Sequence, residues 1–257
     1  MKSQFALKMM FAASVAALGV VPAAHADTNA NNAYGIDAHL ESETVLSHFG
    51  PLADVSHVNN GPYDKTISVA TVNEDAPIAA GTLPPYFFID AKTMSSEVKN
   101  TLGVDTVYTQ SNASVGRATL TMNINPPPGV EIPIPYPALL VKTSGVSSQA
   151  SYSNIVVGPT SVTGSATIQS LKITGTLLDK TVTYSGDAPP NTVIYDGPHV
   201  TITLNRQLQE GTVVCSPGCA IETTGIRVSA IEIRLHNAQV DGHTISGRII
   251  LGGTVAE

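Results

Sequence analysis

The sequence predicts an all-β fold, an antiparallel β-sandwich or an irregular barrel with at most one short helix. Three observations lead there. Thr, Ser and Val dominate, the composition of half-buried strands. Apolar residues recur with period two, and Gly, Pro, Asn and Asp clusters punctuate the runs at short intervals. The chain has 257 residues, 42% of them hydrophobic and only 13% charged, enough to build a core and too apolar for a disordered chain. Twenty acidic against 13 basic side chains leave a net charge of −7, which argues against a nucleic-acid partner. The absence of Trp weakens a stacking sugar site.

Residues 1–26 read as an export signal. Lys2 and Lys8 form a positive start, Met9 to Val21 is an apolar run, Pro22 breaks it, and Ala24-His25-Ala26 offers the small residues of a cleavage site before Asp27. The run is too short for a transmembrane span. A single β-rich domain is expected over 27–257, exported to the periplasm or the medium, with no covalent anchor evident near Glu257.

Along that domain, Ile36, Ala38 and Leu40 alternate with Asp37, His39, Glu41 and Glu43. Ile67, Val69 and Thr71 repeat the period. A short helix is expected over Thr93 to Leu102, where Val98 and Leu102 stand four apart. Ala118, Leu120 and Met122 form the next inward row. The Pro-rich stretch 125–137 cannot pair along its length; it reads as a loop across a sheet edge, with a subdivision of the domain there as the alternative. Turn signals stand at Gly81, Gly158-Pro159, Gly186-Asp187 and Asp196-Gly197-Pro198. Val200, Ile202 and Leu204 share one face. Ile226, Val228 and Ala230 keep one phase and Ile231, Ile233 and Leu235 take the other, which predicts a β-bulge at Ala230-Ile231. Asp241-Gly242 predicts a tight hairpin turn before a last strand, Thr244 to Val255.

Chemistry is sparse. G-x-S-x-G, H-E-x-x-H, G-x-G-x-x-G and Walker patterns are absent, so no cofactor or catalytic site is expected. Cys215 and Cys219, spaced by Ser-Pro-Gly, predict a disulfide-closed turn in an oxidising compartment. Asp37, His39, Glu41 and Glu43 would project from one face of a strand, the arrangement of a surface metal patch; the simpler explanation is a solvated face above buried Ile36, Ala38 and Leu40, so no metal site is expected. His39, His48 and His57 occur nine apart, a spacing that fixes no common side within one strand. Glu74, Asp75, Asp90 and Glu97 are the carboxylates from which a hydrolase would draw an acid–base pair.

A resemblance enters in the second half. Pro190-Asn191-Thr192-Val193-Ile194, an acidic-glycine turn, then Val200-Thr201-Ile202-Thr203-Leu204-Asn205-Arg206-Gln207 resembles the P-N-T…V-T-L-N-x-Q block of the choice-of-anchor P proteins. Ile226 to Ile233 is similar to their T-V-N-A-L-H-V strand, Ile245 to Gly252 to their final strand, and Ala166 to Ile173 more loosely to an earlier one. The likeness spans roughly residues 100–257 and implies an exported, β-rich protein without established catalytic residues. The sequence thus leads first to a non-enzymatic structural, matrix or adhesion protein, self-associating or holding a surface partner. A secreted hydrolase and a metal-dependent binding module are the alternatives.

Overall fold

The computed structural model describes residues 31–57, 61–81, 84–103, 106–123, 137–155, 160–215 and 219–257, apart from the side chains of 155 and 212–222. The expected export signal 1–26, the expected turn at Gly158-Pro159 and the Pro-rich stretch, save Pro137, lie outside the described residues. Thirteen strands are described and no helix: β1 (Asn31–Glu41), β2 (Leu46–Leu52), β3 (Val55–His57), β4 (Tyr63–Pro77), β5 (Tyr86–Leu102), β6 (Thr106–Asn123), β7 (Pro137–Ile155), β8 (Ser161–Thr174), β9 (Val182–Asp187), β10 (Thr192–Asp196), β11 (Val200–Cys215), β12 (Cys219–Val240) and β13 (His243–Ala256). They form two antiparallel sheets. The first runs β10-β11-β12-β13-β1-β2, with β3 also on β1; the second is a meander, β4-β5-β6-β7-β8-β9. No barrel closes among the described residues, so the sandwich is the form adopted. The sheets lie aligned: β12 packs over β7 and β8, β13 over β6 and β7, and β1 over β5 and β6.

The expected helix at Thr93 to Leu102 is instead the second half of β5. A spacing of four fits one face of a strand as well as one turn of a helix. The intervening inward positions are Ser96 and Asn100, both buried, and their polarity hides the period of two. The Gly186-Asp187 signal falls at the end of β9, and the turn before β10 comes at Pro190-Asn191, where Asn191 has φ 55°. Asp241 and Gly242 do form the tight turn, with φ 51° and 77°. Backbone pairing sets Cys215 opposite Cys219, beyond Ile226, where β13 stops accompanying β12; the two thiols lie outside the described side chains.

The core follows the alternation, and the alternation is reset at one level in each sheet. In β5 the inward residues are Phe87, Ile89 and Ala91, then Met94, Ser96 and Val98; in β6 they are Met122, Leu120 and Ala118, then Val115 and Ala113. Register is unchanged across the reset, with Lys92 opposite Arg117 on one side and Met94 opposite Val115 on the other. The skipped positions Ala70, Thr93, Gly116, Gly145 and Gln169 line up across five strands. Thr93 and Gly145 stand at φ 57° on this line. In the other sheet the corresponding line passes through Asn205 (φ 46°), Ala230, Gly252 (φ 65°) and Gly35. The phase slip at Ala230-Ile231 is therefore real, but it is not the expected bulge: Leu204 pairs with Ile231 and Arg206 with Ser229 in one continuous register. A left-handed residue turns the pleat over without inserting anything.

The two lines face each other. A Cβ on Gly252 would stand 3.2 Å from the Ala230 Cβ and 3.4 Å from the Ser148 Oγ of the opposite sheet. On one side of the lines the interior is aliphatic, built by Ile36, Phe87, Leu120, Val141, Ile173, Ile202 and Ile231. On the other side it thins to two small clusters, Ala33, Val55, Val98 and Ala113, and Ala150, Ile226, Val228 and Ala256, with buried Ser96, Thr109, Ser111 and Thr254. There hydrogen bonds tie the sheets, the Ser111 hydroxyl donating to the Val255 carbonyl at 2.6 Å and Gln207 Nε2 to the Gly164 carbonyl at 2.7 Å. Gly252→Ala is expected to destabilise the fold by about 1–2 kcal/mol, the cost of an L-residue at left-handed φ. Gly61→Ala, where nothing lies within 4 Å, is expected to change stability by less than about 0.5 kcal/mol. Urea unfolding of both variants checks the contrast.

Candidate functional site

The outer face of the first sheet gathers most of its charge in one band. Because the strands keep register, Asp196, Thr201, Arg234, Arg248, His39 and His48 form a continuous row across β10, β11, β12, β13, β1 and β2. One step along, Glu232 is buried and forms ion pairs with Arg206, at 3.1 Å, and Arg234. The two guanidinium groups compensate the charge of a carboxylate that the sheet almost wholly covers.

At the β1–β2 end, the row closes on Asp37. Ile36, Ala38 and Leu40 point into the core, so Asp37, His39 and Glu41 face outward, as their alternation requires. The pairing of β1 with β2 is irregular between Ile36 and Ala38, which places Asp37 beside the extra residue of its partner strand. Its carboxylate, with 10% of the side chain exposed, lies 3.2 Å from His39 Nε2 through one oxygen and 2.9 Å from His48 Nε2 through the other. The two imidazoles stack with centroids 3.8 Å apart. Desolvation holds the His39 imidazole below its ordinary value; Asp37 opposes this, while His48 and Arg248 add to it. One carboxylate oxygen and two imidazole nitrogens all lie within 4.8 Å of one another, a donor set able to hold a metal ion.

Of the four residues read as a metal patch, the structure brings together Asp37 and His39 alone. Glu41 is exposed and lines a neighbouring groove of about 460 Å³ with His39, Leu46, Arg234, His236 and Arg248. Glu43 sits in the turn and accepts a hydrogen bond from the Thr244 backbone N–H at 2.7 Å. The residue missed is His48. Its nine-residue separation from His39 fixes no common face within one strand, yet spans a hairpin whose turn hydrogen bond joins Ser42 N–H to the Val45 carbonyl. His57 belongs elsewhere, opposite Asn31 and in tilted ring contact with Tyr63.

Of the carboxylates considered for hydrolysis, Asp90 and Glu97 do not converge. Asp90 pairs with Asn73 and Glu97 with Thr66, seven positions apart on β5 or roughly 24 Å of strand. Glu97 lies in an open trough of about 470 Å³ on the second sheet and accepts a hydrogen bond from Asn112 Nδ2 at 3.0 Å. Hydroxyls line that trough in register, Ser95, Ser114, Ser147 and Thr167, and Ser68 continues the row on β4.

No protein-family model, no curated protein and no solved structure matches this chain.

Asp54, between β2 and β3, adds a titration to this end of the molecule. Burial pushes its carboxyl up, the Asp37 charge adds to the push, and Lys65 and Asn32 pull it back. A carboxyl with a raised value keeps its proton longer in the folded chain than in the unfolded one. It therefore favours folding at low pH, and that advantage is lost as pH rises through the raised value. Asp54→Asn is expected to remove this slope, unfolding at a higher temperature than the parent at neutral pH and converging with it in acid. Melting curves across about pH 4 to 8 decide it, and parallel profiles would contradict it.

Proposed function

We propose that this protein is an exported, non-enzymatic β-sandwich with a structural, matrix or adhesion role at or outside the cell surface, and that copies join through the edge strand β4. The export signal at 1–26 and the resemblance to the choice-of-anchor P proteins support the location. The single observation that carries the assembly is the edge itself. Strand β4 has 15 residues and pairs with β5 alone among the described strands. Its centre, Thr66-Ile-Ser-Val-Ala-Thr-Val-Asn73, is uncharged and rich in β-formers, bracketed by Asp64-Lys65 and Glu74-Asp75. A long uncharged edge is a template for another strand, and charged brackets limit what can join it.

The register of such a pair follows from the sequence. Thr66, Ser68, Thr71 and Asn73 are exposed, whereas Ile67, Val69 and Val72 are half-buried, the phase changing at Ala70. Two antiparallel copies keep like faces together on both sides of that change when Ser68 lies opposite Thr71, Ile67 opposite Val72 and Thr66 opposite Asn73. Lys65 then meets Glu74 of the second copy. Asp64, which would face Asp75, already has Lys99 at 3.3 Å. The isologous pair extends the sheet across a two-fold axis.

Light scattering over a range of concentrations is expected to show reversible dimers. Ser68→Lys with Thr71→Lys puts like charges opposite each other and yields monomers; Ser68→Lys with Thr71→Glu restores the dimer. A monodisperse monomer at every concentration would refute the assembly. For the location, the intact mass of the exported protein is expected to fit Asp27 to Glu257 less two hydrogens, with Cys215 joined to Cys219. A retained Met1 or two titratable thiols would count against export and the staple respectively.

A further inference from the structure

We propose that Asp37, His39 and His48 form a binding site for one divalent transition-metal ion, with Zn²⁺ the best fit. The inference stands apart from the assembly through β4.

The donor set selects the metal. One carboxylate oxygen and two imidazole nitrogens suit zinc, copper or nickel, whereas calcium and magnesium call for six or more oxygen ligands. The geometry is nearly that of a filled site. Ligand atoms around a tetrahedral zinc stand roughly 3.4 Å apart at bond lengths of about 2.0–2.1 Å. Here the carboxylate oxygens lie 3.2 and 2.9 Å from the two Nε2 atoms, and all three donors fit within 4.8 Å. Small rotations of two exposed rings would bring them to bonding distance of a common centre.

The backbone supplies the preorganisation. His39 and His48 are a directly opposed cross-strand pair, and β1 is held by β13 on its other edge. Asp37 is two residues from His39 on the same face, fixed by the inward anchors Ile36 and Ala38. The carboxylate is already desolvated, and the protein groups that meet it are the two imidazoles. A metal ion would thus replace hydrogen bonds from the rings rather than strip the carboxylate of water. The imidazoles are 42% and 43% exposed, leaving a path from solvent and a face of the ion open to water or to a ligand group. A site of three protein ligands with an open position is the pattern of exchangeable zinc rather than of a closed structural centre.

One neighbour opposes the ion. Arg248 lies opposite His39 on β13, is exposed, and places a positive charge on the same face. Asp37 and, further off, Asp54 offset it. The sign of this effect gives the site a signature: removing Arg248 tightens binding, while removing a ligand abolishes it.

Calorimetric titration of the folded, unmodified chain with ZnCl₂ at neutral pH is expected to show saturable binding of one ion, with CaCl₂ giving none. His48→Gln and Asp37→Asn are each expected to weaken zinc at least tenfold, Arg248→Gln to strengthen it severalfold, and His236→Gln, in the adjoining groove, to leave it unchanged. Nitrogen-15 NMR reads the bond directly, with the Nε2 resonances of His39 and His48 shifting together on zinc addition. The thermal midpoint of each variant without metal shows that it is folded. No saturable zinc binding by the folded chain, binding unaltered in His48→Gln, or shifts confined to other histidines would each overturn the site.

Discussion

Everything in this molecule rests on keeping two sheets in contact over strands of up to 22 residues. Strict alternation over such a length would carry one face to the core only if both sheets stayed parallel and thick throughout. Instead each sheet turns its pleat over once, at matching levels, with register kept from β4 to β8 and from β11 to β1; toward the edge strands β9 and β2 it shifts by one residue. Positive φ at Thr93, Gly145, Asn205 and Gly252 makes this turn, and the facing strand supplies the complementary half. One end of the sandwich thereby keeps its large apolar interior, and the other closes on smaller side chains and hydroxyls, with inter-sheet hydrogen bonds.

The same constraint places the outer-face chemistry. Where neighbouring strands keep register through the reset, side chains align in rows, and a polar residue there acquires fixed cross-strand neighbours. Asp37, His39 and His48 meet because β1 is wedged between β13 and β2. Glu232 is bracketed by Arg206 and Arg234 for the same reason, β11 and β12 presenting them at adjacent positions. The row of serines over the second sheet is likewise a product of register, not of any local motif.

Much of the fold could be read from residue order alone. Val200, Ile202 and Leu204, or Ala118, Leu120 and Met122, show their period openly because they line the aliphatic end. Asp241-Gly242 shows its turn because both residues tolerate left-handed φ. The polar interior was not legible: nothing in residue order marks Ser96, Asn100, Thr109 and Ser111 as inward, and their burial depends on a reset that spans strands distant in sequence. Hence a strand at Thr93 to Leu102 looked helical. At the site, Asp37 and His39 were visible as an alternating pair, but His48 enters only through the pairing of two strands. Glu43 looked like a ligand because alternation was extended past Glu41, where the chain has already entered the turn begun by Ser42.

The most direct test of this account is the NMR measurement of cross-strand proton contacts and φ at the reset. The account predicts contacts between Lys92 and Arg117 and between Met94 and Val115 in one unbroken register, with positive φ at Thr93 and with both Ala91 and Met94 contacting the opposite sheet. A one-residue slip between those two pairs, or an ordinary negative φ at Thr93, would contradict it.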